Sequence, residues 1–364
     1  MDERPHIFDL TPDALAELIA GWGMPGYRAT QILEWVYRQG VGDPDMMTNL
    51  GAADRRTLAQ QLCFVRGRVL GHQLATDGTQ KMLIDWSLTQ ADPSDANTLN
   101  VLGNSASQTE CVMIPADEAK PRRTACISSQ IGCPVGCKFC ASGLGGLDGN
   151  LTAGQIVQQA WQLVQLDGVG RISHIVFMGM GEPLANFDQV TGAIHTLTAP
   201  WGMGISGRRI TVSTVGLPPQ IRRLAELDLP ITLAISLHAP NDELRQQLIP
   251  WAKSISIGQL IDAGRDYFKQ TGREVTLEYI LLGGINDQPE HAHQLAHVAK
   301  QLRSNINLIR YNQVADLPFT RPVDGDVRHF QNILQAANIN CHLRASRGRD
   351  IAAACGQLRH DHHV

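Results

Sequence analysis

Thr124-Ala125-Cys126-Ile127-Ser128-Ser129-Gln130-Ile131-Gly132-Cys133-Pro134-Val135-Gly136-Cys137-Lys138-Phe139-Cys140 is the stretch around which the chain is organised. Residues 125–128 read as a short strand, and the loop after it holds three cysteines in eight residues at spacing C-x3-C-x2-C. Thiolates this close can converge on one metal centre, yet three of them leave a four-iron cubane, or a tetrahedral zinc, one ligand short. An iron-sulfur cluster with an open iron can bind S-adenosylmethionine and deliver an electron into it, one of the cofactor routes to radical chemistry. A zinc knuckle or three unrelated core cysteines are the competing readings; for zinc, a partner His or Cys at finger spacing is missing nearby.

Downstream, strands near 173–178, 210–213, 232–237, 275–281, 307–310 and 341–344 alternate with helices near 152–166, 187–198, 219–227, 241–248, 257–269, 289–302 and 327–337. Such alternation predicts an α/β fold of parallel strands joined by crossover helices, and about six strands suit a partial or full (β/α) barrel. Thr152 and Gln155 form a capping box before a helix whose Ile156, Val157, Ala160, Trp161 and Val164 share one face. Loops at the C-terminal ends of barrel strands build active sites, and the cysteine loop follows the first strand.

Upstream, residues 8–62 read as a small helical module. Thr11 is an N-cap with Pro12 at the first helical position, Leu15, Leu18, Ile19 and Trp22 share a face, and Ile32, Leu33, Val36 and Tyr37 supply a second. Its Arg28, Arg38, Arg55 and Arg56 are phosphate-contact candidates or simply solvated helix charges. Strand-like pieces follow near 65–70, 81–86 and 111–114, with an extended loop at Thr89 to Gln108.

Composition narrows the class. A chain of 364 residues can hold a large barrel plus an accessory module, and 43% hydrophobic with 18% charged residues is ordinary for a soluble globular protein. No apolar run approaches the ~18 residues of a membrane span, and the polar start lacks the order of a secretory signal, so a cytosolic protein with no membrane partner is expected. A reducing compartment turns the eight cysteines toward metal or catalytic roles. A net charge of -4 confines any nucleic-acid contact to local basic patches.

Other strand ends add candidates. Met178-Gly179-Met180-Gly181-Glu182-Pro183-Leu184 could let a ligand approach the backbone and hold an ammonium group, or be only a turn. Val212-Ser213-Thr214, Ile235-Ser236-Leu237-His238 and Tyr311-Asn312 put small polar groups at successive strand ends. Cys126, Cys355, Cys63, Cys111 and Cys341 read, on physical grounds, as buried structural thiols, and His360, His362 and His363 as a mobile tail.

Residues 125–133, the cysteine triplet, Gly179 to Leu184, Ser236-Leu237-His238-Ala239-Pro240-Asn241 and Asp350-Ile351-Ala352-Ala353-Ala354-Cys355-Gly356-Gln357 together resemble the radical SAM RNA adenine methyltransferases of the RlmN and Cfr type. The resemblance runs over nearly the whole chain, including Ile32-Leu33-Glu34-Trp35-Val36-Tyr37-Arg38. It implies a radical SAM partial (β/α)6 barrel with an N-terminal helical accessory domain and a small β extension. The expected divisions are an RNA-binding module at 1–62, a β-rich connector at 63–115, the barrel at 116–350 and a C-terminal segment at 351–364.

The resemblance also assigns roles. Cys133, Cys137 and Cys140 would bind a [4Fe-4S] cluster whose open iron chelates S-adenosylmethionine, with Gly181, Glu182, Ser213, Ser236, Leu237, His238 and Asn312 as further contacts to S-adenosylmethionine. One S-adenosylmethionine would methylate Cys355. A second would supply the radical that takes a hydrogen atom from that methyl group. The resulting carbon would add to C2 of an adenine, Glu110 would accept the C2 proton, and Cys126 would release the product by forming a disulfide with Cys355. The implied partners are 23S rRNA, tRNA near the anticodon and an electron donor such as flavodoxin or ferredoxin, with the enzyme a monomer. Two alternatives accompany this reading: C8 methylation of the same rRNA nucleotide, and a non-catalytic RNA-binding protein with structural zinc, which would have no use for Cys126 and Cys355.

Two local departures stand out. After Cys140 the family usually carries an Arg where this chain has Gly149, and the tail has Arg349 where an acidic or neutral residue is common. Neither touches a thiol; both bear on how RNA is held.

Overall fold

The computed structural model describes residues 3–89, 107–115, 122–315 and 317–358. Most of the Thr89 to Gln108 stretch and the three tail histidines lie outside them.

The N-terminal part is helical for the reasons its sequence supplies. Thr11 accepts the Ala14 N–H at 3.2 Å to start α1 (Pro12–Ala20), which buries Leu15 and Ile19. α2 (Arg28–Arg38) buries Ala29, Ile32, Leu33 and Val36, and α3 (Ala52–Gln61) buries Leu58. Arg28, Arg38 and Arg55 donate to the carbonyls of Asn49, Pro200 and Asp45, which ties these candidate phosphate contacts to their own chain, whereas Arg56 is exposed.

Strands β1 (Arg66–Leu74), β2 (Gln80–Thr89) and β3 (Gln108–Pro115) form an antiparallel meander. β3 pairs antiparallel with β4 (Arg123–Cys126), the first strand of the parallel set, so the β extension and the barrel share one ten-stranded sheet. A small hairpin, β5 (Gln130–Gly132) with β6 (Leu147–Asn150), brackets the cysteine loop. Then follow α4 (Ala153–Val164), β7 (His174–Phe177), α5 (Phe187–Thr198), β8 (Ile210–Thr214), α6 (Pro218–Ala225) and β9 (Thr232–Ser236). The chain continues through α7 (Asp242–Leu248), α8 (Ile257–Thr271), β10 (Val275–Leu281), α9 (Pro289–Ala299), β11 (Ser304–Arg310), α10 (Asp324–Ala336) and β12 (Cys341–Arg344).

The sheet order β1-β2-β3-β4-β7-β8-β9-β10-β11-β12 places consecutive parallel strands side by side, so every crossover steps in one direction and the sheet winds as an open barrel. The short β12 pairs in parallel with β11 from Ile306 to Ile309, giving a parallel run of seven strands where about six were expected.

Helix α4 explains how the N-terminal helices are fixed. Its capping box is formed by Thr152 and Gln155, and its residues from Ile156 to Leu163 are all buried. A helix buried on every side has neighbours on every side: Phe8 stacks near Trp161, with centroids 5.4 Å apart, and the Trp161 indole donates to the Val36 carbonyl at 2.8 Å. Asp9 accepts the Gly154 N–H at 2.5 Å at the positive end of this helix. The inward glutamines are satisfied across the fold. Gln158 accepts the Arg66 N–H, donates to the Arg66 carbonyl and meets His6, while Gln159 accepts the Ser128 N–H at 2.8 Å and donates to its carbonyl at 2.9 Å. Gln159 thereby fixes the exit of β4, where the cysteine loop begins. One hydrophobic cluster runs from Ile7 through α2 and α4 into the barrel strands.

Candidate functional site

The cysteine loop is held by backbone contacts. Cys133 donates to the Gly146 carbonyl at 2.7 Å, Lys138 to that of Leu248 at 3.0 Å, and Ala141 to that of Gly356 at 2.9 Å. Gly132 has a φ of +74°, and an added Cβ would lie 2.1 Å from the Gly146 oxygen, so the turn into the loop admits only glycine. Beneath the loop a second apolar cluster, with Val135, Phe139, Leu248, Ile280 and Tyr311, packs against all three cysteines.

Burial pushes the Cys133 thiol up to about 12 and raises Cys137 and Cys140 as well. Three thiolates at this place need cations. One is protein-borne: Arg245, fully buried in the middle of α7, donates to the carbonyls of Val215 at 2.6 Å and Leu237 at 3.2 Å, and its charge opposes the upward shift of Cys137. Among the described residues no three His, Cys, Asp or Glu side chains converge on one ion. A donor set of three soft thiols, each free to take its own iron, on a dry loop beside an open cavity fits a cubane with one iron left for a ligand.

That cavity, about 890 Å³ with its mouth, is lined by Cys133, Cys137 and Cys140 together with Gly181, Glu182, Ser213, Ser236 and His238. Ser213 and Ser236, at the ends of neighbouring β8 and β9, put their hydroxyl oxygens 3.3 Å apart. Glu182 accepts the N–H groups of Leu184 at 3.0 Å and Val215 at 2.8 Å, and burial raises its carboxyl to about 7. His238 sits at φ +59°, held by Asn286, which donates to its carbonyl at 2.9 Å. Its Nδ1 accepts the Ile280 N–H at 3.1 Å; burial, aided by Arg245, lowers the imidazole to about 3, which keeps it neutral with the proton on Nε2.

Several expected contacts fall elsewhere. Leu237 turns into the main core and does not line this cavity; its carbonyl serves Arg245. Asn312 borders a second cavity of about 670 Å³, where its amide donates to the Cys355 carbonyl at 3.2 Å. The glycines of the 179–184 run line the first cavity and also allow close chain packing: a Cβ on Gly179 would lie 2.6 Å from Ser128 Oγ, and one on Gly181 2.7 Å from Gln130 Cβ.

The second cavity adjoins the first and is lined by Cys126, Met178, Asn312, Arg344 and Cys355. Cys355 lines both cavities and is exposed, whereas Cys126 is buried, with its thiol pushed up to about 12. Both are free thiols at no disulfide distance from each other. A third apolar cluster, with Val112, Cys126, Val176, Met180, Ala353 and Leu358, docks the C-terminal segment on the barrel. Cys63, Cys111 and Cys341 are buried in the core, as expected of structural thiols.

Glu110 lines neither cavity. It is buried on β3 against Lys81, whose Nζ lies 2.7 Å from its carboxylate, on the strand face shared with Val112. Sequence reasoning missed the charged groups Lys81, Arg245, Glu278 and Arg344. Glu278 and Arg344 meet at 3.4 Å on the wall of the first cavity. Arg344 ends β12, which was the available signal for it, whereas Glu278 sits in the middle of β10 and gave none. Of the two departures, Gly149 has open space, with only Ile131 3.9 Å from an added Cβ, and Arg349 is exposed near Arg321. Among the described residues no helix is long and apolar enough to cross a membrane.

Comparison with known proteins agrees with this geometry. Residues 127–296 match the Radical SAM superfamily and residues 6–64 the ribosomal RNA large subunit methyltransferase N-terminal domain. A probable dual-specificity RNA methyltransferase RlmN of Rhodopirellula baltica is 42% identical over 98% of this chain and 91% of its own length. The dual-specificity RNA methyltransferase RlmN of Dichelobacter nodosus is 39% identical over 98% and 95%. The crystal structure of a radical SAM methyltransferase from Sphaerobacter thermophilus superposes with a TM-score of 0.89 at 41% identity, covering 98% of this chain and 99% of that one. With the thiol loop at the mouth of an open barrel and relatives alike from end to end, the chain belongs to the RlmN-type radical SAM RNA methyltransferases, a family that works with a [4Fe-4S] cluster and S-adenosylmethionine.

Proposed function

We propose that this enzyme methylates C2 of an adenosine in 23S rRNA, and of an adenosine beside the anticodon in tRNA, as a cytoplasmic monomer consuming two S-adenosylmethionine molecules per methyl group. The observation that supports this reading best is the pair of free thiols Cys126 and Cys355 on the walls of one cavity, beside the cysteine loop. When bound, the cluster, fed by an external electron donor such as a flavodoxin or ferredoxin, and S-adenosylmethionine supply the methyl group, the hydrogen-abstracting radical and a one-electron sink.

The rest falls to the chain. Cys133, Cys137 and Cys140 hold the cluster, and the Gly181, Glu182, Ser213, Ser236 and His238 wall orients the cofactor, with Leu237 serving that wall only by fixing Arg245. Cys355 carries the methyl carbon and becomes joined to C2 of the base, with Asn312 holding its backbone. Glu110 takes the C2 proton, and the electron pair of that bond stays with the ring. Cys126 sulfur then attacks Cys355 sulfur: the S–S bond forms, the S–C bond breaks, and its electron pair passes to the departing carbon, which takes a proton to become a methyl group. Residues 1–62 and the exposed Arg349 serve RNA holding.

Mass spectrometry of digested rRNA and tRNA from cells with and without the gene tests the assignment. Loss of 2-methyladenosine from both is expected; an 8-methyl product would overturn the C2 assignment, and unchanged tRNA would remove the second substrate.

A further inference from the structure

The segment that bears Cys355 is strapped from outside the parallel barrel strands. The turn between β1 and β2 makes two contacts with it: Asp77 accepts the Gly348 N–H at 3.0 Å, and Asp350 accepts the Thr76 N–H at 2.9 Å. Lys81, almost wholly buried in β2, makes the third. Its ammonium lies 2.7 Å from Glu110 Oε1 and donates to the Ala352 carbonyl at 3.4 Å. Ala352 itself sits at φ +50°, uncommon for a residue with a Cβ, three residues before Cys355. One buried cation thus joins the carboxylate of β3 to the segment that carries the methyl-bearing thiol.

We propose that Lys81 is a positioning residue for the step that resolves the protein–RNA adduct, holding Glu110 and the Cys355 segment in one geometry. The proposal rests on the reading of Glu110 as acceptor of the C2 proton. A buried carboxylate deprived of its cation is costly to keep charged, so it already holds a proton and is not available to accept the one from C2. Loading of the methyl group on Cys355 does not use Glu110, and the contacts of Asp77, Asp350 and Asn312 still hold the segment when Lys81 is replaced.

The test uses the reconstituted full-length enzyme with S-adenosylmethionine, a reductant and an rRNA fragment containing the target adenosine. Lys81→Met and Lys81→Gln are compared with Lys81→Arg, Asp77→Asn and Glu110→Gln. Peptide mass spectrometry reads S-methylation of Cys355, and a denaturing gel reads the covalent adduct. In the Met and Gln variants, S-methylation should match wild type while adduct rises about tenfold or more, in line with impaired proton transfer. Lys81→Arg should bring the adduct most of the way back, and Asp77→Asn, which loosens only the strap, should not raise it. Wild-type adduct levels in both the Met and Gln variants, with Cys355 still methylated, would overturn the proposal. So would a loss of S-methylation in Lys81→Gln, the variant that keeps hydrogen-bond donors, because Lys81 would then act before the adduct forms. If Glu110→Gln accumulates no adduct either, the underlying reading of Glu110 fails; if it does while the Lys81 variants do not, only the role of Lys81 fails.

Discussion

The two adjoining cavities are built by different means. The first is walled by strand ends whose groups are fixed by backbone hydrogen bonds: Glu182 by Val215 and Leu184, and His238 by Ile280 and Asn286. The second is closed by the irregular segment around Ala353 to Leu358, held by Asn312, Lys81, the β1–β2 turn and a small apolar cluster. A wall of strand ends suits a cofactor that returns to one position each cycle. A strapped segment suits a thiol that, in the proposed mechanism, meets a methyl donor, a base and then Cys126, from which it stands apart as a free thiol.

Substitutions that strike one cavity at a time test this contrast. The largest effects belong to the thiols. Cys137→Ala should lose most of the about four irons per chain that cubane ligation requires, and all RNA methylation with them. Cys355→Ala should lose methylation just as completely while keeping its iron; methylated RNA from that variant would refute the carrier role. Cys126→Ala should leave iron and Cys355 methylation intact and trap RNA on the protein, and normal turnover there would show that release is misassigned.

Smaller changes sharpen the comparison. Gly132→Ala forces a side chain toward the Gly146 carbonyl at positive φ, so it should cost about 1–3 kcal/mol in a thermal melt and lower iron retention without moving the C-terminal segment. The smallest effect is expected far from both cavities. Burial would raise the Asp9 carboxyl, but His6, the Gly154 N–H and Thr152 outweigh it and hold it below its ordinary 3.8. Ionised Asp9 therefore stabilises the fold fully above that value and progressively less as pH falls below it. Asp9→Asn should cost about 1 kcal/mol at neutral pH and nearly nothing in acid, as read by denaturant melts across pH.

The barrel was legible because its signals are local: apolar strands, capping boxes such as Thr152 with Gln155, and glycine or proline punctuation mark each element within a few residues. The thiol loop was legible from spacing alone. The roles of Cys126 and Cys355 came only through family resemblance, since two thiols separated by most of the chain show no local pattern. Lys81 and Arg245 escaped notice because a lone cation in a strand or helix looks like surface charge until the partners that bury it, Glu110 on another strand and the carbonyls of Val215 and Leu237, are seen in space. Gly179 and Gly181 have two uses of which sequence showed one: they line the first cavity, and their bareness also accommodates Ser128 and Gln130.

Helix α4, wrapped on every side, also has a bearing on how the protein is made. The apolar face of α2 meets its partner Trp161 only after α4 has left the ribosome, 125 residues after Val36. At about 5–20 residues per second the interval is on the order of six to twenty-five seconds. During it Ile32, Leu33 and Val36 have no barrel to rest on, so the nascent N-terminus is the part of this protein with most need of a chaperone.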